Sequence, residues 1–194
     1  MDSTLAPFYG LLTRPVQRAR LRVLERHLAG AGRVLDVGCG LTDLPGRLPS
    51  YVGCDRNPTV LTENRRRFPQ ARFVDWDVSA SAAPPELAAE RFDLALMAAV
   101  LEHLADPGAA MGRVASLLAP GGRLLATTPH PIGRTALETG AALGLLSRSA
   151  DEEHETLLDR AALERAGASA GLTMTDYGRF LLGMNQVALF RKAP

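Results

Sequence analysis

Lysine is almost missing from this chain: Lys192 stands alone beside 21 arginines among the 22 basic residues. With alanine used heavily as well, the imbalance reads as the codon bias of a GC-rich genome rather than as arginine-specific recognition. Cysteine is scarce. Cys39 and Cys54 are the only two, neither sits in a CxxC pair, and together they make neither a disulfide framework nor a zinc finger. Aromatic residues form 5% of the chain and do not interleave with the arginine clusters at 14–26 and 65–67, so no nucleic-acid partner is expected. Charge of one sign is not in excess: 22 basic residues face 21 acidic ones, a formal net charge of +1 that creates no field toward polyanions. The longest uncharged stretches, Ser3–Thr13 and Phe180–Phe190, are about half of what a membrane span needs. The first residues, Met-Asp-Ser-Thr, lack a basic-then-apolar leader pattern. What is present is ordinary: 194 residues, 46% hydrophobic and 22% charged, enough for one packed domain over 1–194. A cytoplasmic globular protein, monomer or homodimer, is the expectation.

The hydrophobic pattern alternates between two periods. Val16, Ala19, Val23, Leu24 and Leu28 make a helical stripe over Pro15–Ala29, stopped by Gly30 and Gly32. Short β-rich runs follow at Arg33–Val37, Tyr51–Cys54, Arg72–Val74, Phe92–Met97, Arg123–Thr127, Leu172–Tyr177 and Gln186–Arg191. Between them lie helical segments at Pro58–Arg67 and Pro107–Leu118, and a later one at Arg160–Ala166 capped by Asp159 and ended by Gly167 or Gly171. Pro120-Gly-Gly122 reads as a turn. Alternating strands and helices imply parallel βαβ units. The closing pair of strands, with no helix between them, implies an antiparallel edge. The fold class expected is therefore α/β: a Rossmann-like, seven-stranded, mostly parallel sheet with helices on both faces and its last strand antiparallel.

Asp36-Val-Gly-Cys-Gly40 ends the first strand, at the carboxyl edge where open α/β sheets bind ligands. Glycines there permit a tight turn and close approach to the backbone. Asp55 ends the second strand, placed to accept hydrogen bonds from ribose hydroxyls. A dinucleotide fingerprint needs a third glycine opening a long helix. Here Asp43 takes that place, Pro45 and Gly46 follow, and the stretch from Gly40 to Asp55 is too short for a helical crossover. An adenosine ligand without a pyrophosphate suits these residues better.

Five segments now fall in register: Val-Leu-Asp-Val-Gly-Cys-Gly at 34–40, Tyr-Val-Gly-Cys-Asp at 51–55, Phe-Val-Asp-Trp-Asp-Val at 73–78, Phe-Asp-Leu-Ala-Leu-Met-Ala-Ala-Val-Leu-Glu-His-Leu at 92–104, and Leu-Leu-Ala-Pro-Gly-Gly-Arg-Leu-Leu-Ala-Thr-Thr-Pro-His at 117–130. In these the chain resembles the class I S-adenosylmethionine-dependent methyltransferases, particularly the group acting on small molecules. The resemblance runs from Val34 to about Lys192. It implies S-adenosylmethionine as cofactor, with Gly38, Cys39 and Gly40 along its methionine part and Asp36 oriented toward its ammonium. Asp55 would hold the ribose hydroxyls and Arg56 would lie beside the adenine. Asp77 would accept the adenine amino group, and the Val78 backbone N–H would meet a ring nitrogen. Met97 and Ala98 would place backbone groups near the methionine end, with Leu101 and His103 close by. The chain departs from the family at Thr42, where a third glycine is usual, and in its shortened segment around Leu44–Arg47.

Methyl transfer from a sulfonium is an in-line displacement, so positioning carries most of the catalysis and a base is needed only for an acceptor that must lose a proton. His103 and His130, both at ligand-facing strand ends, are the candidate catalytic residues. His154 sits in the acidic run Asp151–Glu155, where a solvated loop is the simpler account, and His27 reads as structural. No metal site is expected, since Glu152–Glu155 are adjacent and point in different directions. The span 131–155 is expected to cover the site on the substrate side, its apolar piece Ala141–Leu146 sealing the core or walling the acceptor. Asn185-Gln186 reads as a hairpin device or an acceptor contact. The function expected is methyl transfer to a small-molecule acceptor. The alternatives are a non-catalytic S-adenosylmethionine-binding domain and an NAD-type oxidoreductase.

Overall fold

The computed structural model describes residues 13–133 and 158–194, with side chains from residue 18 onward. Of the expected cover over 131–155, residues 134–155, with Ala141–Leu146 and His154, lie outside the described residues, as does the chain before Thr13. The elements in order are α1 (Thr13–Leu28), β1 (Arg33–Val37), β2 (Ser50–Asp55), α2 (Pro58–Arg67), β3 (Arg72–Asp75), α3 (Pro85–Ala88), β4 (Phe92–Ala98), α4 (Pro107–Ser116), β5 (Leu118–Pro129), α5 (Arg160–Ser169), β6 (Leu172–Phe180) and β7 (Asn185–Lys192). Short 3-10 turns occupy Leu44–Arg47 and Leu101–His103.

One seven-stranded sheet runs in the order β3-β2-β1-β4-β5-β7-β6. The pairs β2–β3, β1–β2, β1–β4 and β4–β5 are parallel, and β7 is antiparallel to both β5 and β6. The chain builds outward from β1 on one side and then restarts at β4 on the other. That reversal leaves a crevice over the carboxyl ends of β1 and β4.

Alternation along the strands sends neighbours to opposite faces. Leu35, Val37, Val52, Cys54, Ala95, Met97, Leu124 and Ala126 pack with Ala110, Met111 and Val114 of α4 and Leu163 of α5. Val34, Tyr51, Leu94, Leu96 and Leu125 pack on the other face with Leu24 and Leu28 of α1 and Leu61 of α2. Three of the helices start by one device, a carboxylate or amide that accepts first-turn N–H groups. Asn57 caps α2, Asp106 caps α4 and Asp159 caps α5, with Pro58 and Pro107 following the first two.

Two elements depart from the sequence reading. Pro120–Gly122 is not a turn before the strand but an irregular part of β5, which already pairs at Leu118 with Phe92 and shifts register before Arg123 meets Leu94. The expected helix through Leu118 accordingly stops at Ser116. Helix α5 also runs through Gly167 and ends before Gly171.

Candidate active site

A cleft of about 460 Å³ opens at the carboxyl edge of the sheet, lined by Gly38 after β1, Asp55 and Arg56 after β2, Trp76, Asp77 and Val78 after β3, and Ala99, Val100, His103 and Leu104 after β4. Backbone strain marks its floor. Gly38 has φ +66°, and a Cβ there would meet the Val100 side chain at 2.6 Å. Ala99, without the freedom of glycine, is held at φ 59° with its N–H on the Thr127 carbonyl at 2.8 Å.

The Asp55 carboxylate is fixed by the backbone on both sides: Gly40 N–H donates to Oδ2 and Asn57 N–H to Oδ1, each at 2.9 Å. Each oxygen keeps lone-pair capacity for a further donor. Asp77 is oriented by Ser79, whose hydroxyl and N–H both donate to Oδ1, and these bonds hold its carboxyl below the usual range. Trp76 stands beside it, buried, with its indole N–H donating to the Ser81 carbonyl at 3.3 Å. Arg113 of α4 holds the Val78 carbonyl from outside at 2.9 Å.

The turn after β1 is shaped by one side chain that sequence reasoning missed. Asn64 of α2 is fully buried; its amide donates to the Gly40 carbonyl at 2.6 Å and to Cys39 Sγ at 3.8 Å, and its carbonyl accepts the Thr42 N–H at 3.4 Å. Thr42, where a glycine was looked for, turns its hydroxyl inward to accept the Leu44 N–H. That bond leads the chain into the 3-10 turn with Pro45, so no long helix points its N-terminus at Gly40.

The expected residues thus divide. Gly38, Asp55, Arg56, Asp77, Val78 and His103 converge on the cleft. Asp36, 4% exposed, lies below it, and burial pushes its carboxyl up to about 7. Cys39 and Gly40 form the turn behind Asp55. The Met97 and Leu101 side chains are buried in the α4-side core and do not line the cleft, where Ala99 and Val100 follow Ala98. His130 is also not on the lining. Its Nδ1 accepts the Ile132 N–H at 3.1 Å, its backbone N–H donates to the Met184 carbonyl, and burial followed by Arg179 lowers its pKa. Gln186 is a clasp in the core, donating to the carbonyls of Pro129 and Leu158 and accepting the Tyr177 hydroxyl at 2.9 Å. Trp76, Ala99, Val100 and Leu104 are lining residues that were not singled out; the lone tryptophan preceding Asp77 was the available signal. No group of three or more metal-ligating side chains occurs among the described residues. No described helix is long and apolar enough to cross a membrane.

Sheet order, switch-point crevice and paired carboxylates define the nucleoside-binding α/β class to which class I S-adenosylmethionine-dependent methyltransferases belong. Residues 10–177 match the family model described as a methyltransferase domain, and the chain belongs to that family. It is 37% identical over 124 residues to trans-aconitate 2-methyltransferase of Methylobacterium nodulans, covering 60% of this chain and 45% of that protein. It is 31% identical over 156 residues to the ubiquinone biosynthesis O-methyltransferase of Brucella anthropi, covering 74% and 61%. The chain therefore spans about half of the length of these curated relatives. In architecture it is similar to an S-adenosylmethionine-dependent methyltransferase from Mesorhizobium loti, with TM-score 0.70, 18% identity and coverage of 90% and 98%. It is equally similar to magnesium protoporphyrin IX methyltransferase from Synechocystis PCC 6803 with bound SAH, with TM-score 0.70, 15% identity and coverage of 96% and 90%.

Proposed function

We propose that the chain transfers a methyl group from S-adenosylmethionine to a small-molecule acceptor. The observation that carries this reading is the donor set of the cleft. Two carboxylates, Asp55 and Asp77, face a site whose lining among the described residues holds one guanidinium, Arg56, and the turn after Gly40 opens no long helix. Such a set fits ribose hydroxyls and an adenine amino group and repels a pyrophosphate. This weighs against the dinucleotide reading.

S-adenosylmethionine supplies an already activated methyl group on a sulfonium. The chain then has to bind, orient and keep water away, which orientation alone makes worth roughly 7–11 kcal/mol of barrier. Asp55, clamped by Gly40 and Asn57, would hold the ribose, and Asp77 with Val78 would hold the adenine. Gly38 would let the methionine part pass close to the backbone, above Asp36. Ala99, Val100 and Leu104 form the apolar wall beside His103. For a hydroxyl acceptor, His103 would take the proton; His130 is assigned a structural role, because its Nδ1 already accepts a backbone N–H.

The small acceptor is favoured by the near-neutral charge and by the small-molecule and cofactor-pathway methyltransferases among the relatives. Labelled-methyl transfer, screened over polycarboxylic acids such as trans-aconitate and over phenolic quinone precursors, tests the activity. Transfer to one acceptor, reduced about 100-fold or more by His103→Gln if a hydroxyl is methylated, is the expected result. Tight SAH binding with no transfer to any acceptor would favour a non-catalytic binding domain.

A further inference from the structure

Asp36 is a carboxylate placed in the core with an unusual neighbourhood. It lies on β1 opposite Gly53 of β2, on the sheet face it shares with Tyr51, two residues earlier in β2. The Tyr51 hydroxyl donates to Asp36 Oδ2 at 2.8 Å. To do so the phenol must pass over Gly53, and only glycine leaves the passage open. A Cβ there would stand 2.8 Å from the Tyr51 oxygen and 2.8 Å from Phe73 Cδ1. Phe73 of β3 packs on the Tyr51 ring at 6.0 Å and 62°, edge to face, which fixes the ring from the far side. Three strands thus meet at a single hydroxyl: Asp36 of β1, Tyr51 and Gly53 of β2, and Phe73 of β3.

The other groups that bear on Asp36 bring no positive charge. They are Asp55 at the end of β2 and the Cys39 and Cys54 thiols, and burial pushes both thiols above their ordinary pKa. Among the described residues no cationic side chain pairs with Asp36, and the Tyr51 hydroxyl meets one of its oxygens, Oδ2. A buried carboxylate of this kind is costly unless a cation meets it.

We propose that Tyr51 is a positioning residue for the cofactor: its hydroxyl, threaded over Gly53, holds the Asp36 carboxylate so that the second oxygen meets the ammonium of the cofactor's amino-acid end. The proposal rests on the cofactor reading given above. It has a direct consequence for pH. Burial raises the Asp36 carboxyl, the Tyr51 hydrogen bond opposes that rise, and the nearby Asp55 adds to it. Tyr51 itself is held protonated by burial and by Asp36, so it remains a donor. Removing the hydroxyl leaves the neutral acid favoured to higher pH, and recognition of an ammonium moves in the alkaline direction with it.

Titration calorimetry with SAH and with 5′-methylthioadenosine separates the two ends of the ligand, since the second compound keeps the adenosine and lacks the amino acid. Tyr51→Phe should weaken SAH about tenfold at pH 7.5, with partial recovery at pH 8.5, and leave methylthioadenosine within about twofold. Gly53→Ala, which displaces the phenol without deleting it, should show the same selectivity. Asp36→Asn should weaken SAH at every pH and spare methylthioadenosine. Equal loss of both ligands in Tyr51→Phe would reduce the tyrosine to a packing role and overturn the proposal. So would unchanged SAH affinity in Tyr51→Phe while Asp36→Asn is selective. If Asp36→Asn is not selective, the ammonium contact itself is misplaced; if wild-type protein binds neither compound, the cofactor reading fails first.

Discussion

Replacing Asp36 by asparagine separates the stability cost of this buried carboxylate from its use. The side chain keeps its shape, and its carbonyl can still accept from Tyr51. What disappears is the ionisable group that burial raises from 3.8 to about 7. A carboxyl raised in the folded state retains its proton where the unfolded chain has released it. Wild-type stability therefore falls as pH climbs from about 4 to about 7 and levels off above that. At about 1.4 kcal/mol per pH step between 3.8 and about 7, the upper bound of this loss is near 4 kcal/mol at pH 8. Between pH 5 and pH 8 the advantage of Asp36→Asn over wild type should widen by about 2–3 kcal/mol. Urea unfolding across that range measures it directly. A gap between the two proteins that stays constant with pH would refute the reasoning, because it would mean that Asp36 ionises normally in the folded state.

Further outcomes follow from the two buried amides and from one helix cap. Asn64→Leu leaves the Gly40 carbonyl and the Thr42 N–H without their partner, and should cost about 1–3 kcal/mol in chemical denaturation while loosening SAH binding through the displaced turn. Gln186→Leu strands the Tyr177 hydroxyl and the Pro129 and Leu158 carbonyls, with a loss of similar size that leaves methylthioadenosine affinity unchanged. Asp159→Ala removes the acceptor for the Ala162 N–H at the start of α5 and should lower stability by about 0.5–2 kcal/mol, read as a small fall in melting temperature.

The strands and the capped helices were legible because their signals are local. Short β-rich runs, Pro58 and Pro107 at helix starts and the cap Asp159 need no knowledge of the rest of the chain. Asp55, Asp77, Gly38 and His103 were legible for a related reason: each follows a strand that ends at the ligand edge. The Met97 side chain alternates into the core, and the chain turns into the cleft at the left-handed Ala99. His130 stands at a strand end too, but Ile132 occupies its nitrogen. Tyr51, Gly53, Phe73 and Asn64 carried no local signal for the roles they play, and Gln186, read as a hairpin device or an acceptor contact, forms a core clasp instead. Their roles depend on strand register and on contacts between elements far apart in sequence, which no periodicity encodes.

Binding of SAH to wild type and to Asp55→Ala, measured by calorimetry with NAD as the competing ligand, bears most directly on the central claim. The Asp55 carboxylate is clamped in the cleft by two backbone N–H groups. The account predicts SAH binding to wild type, at least about tenfold weaker binding to the variant, and no binding of NAD to either. NAD binding without SAH binding, or SAH affinity untouched by the loss of Asp55, would contradict it.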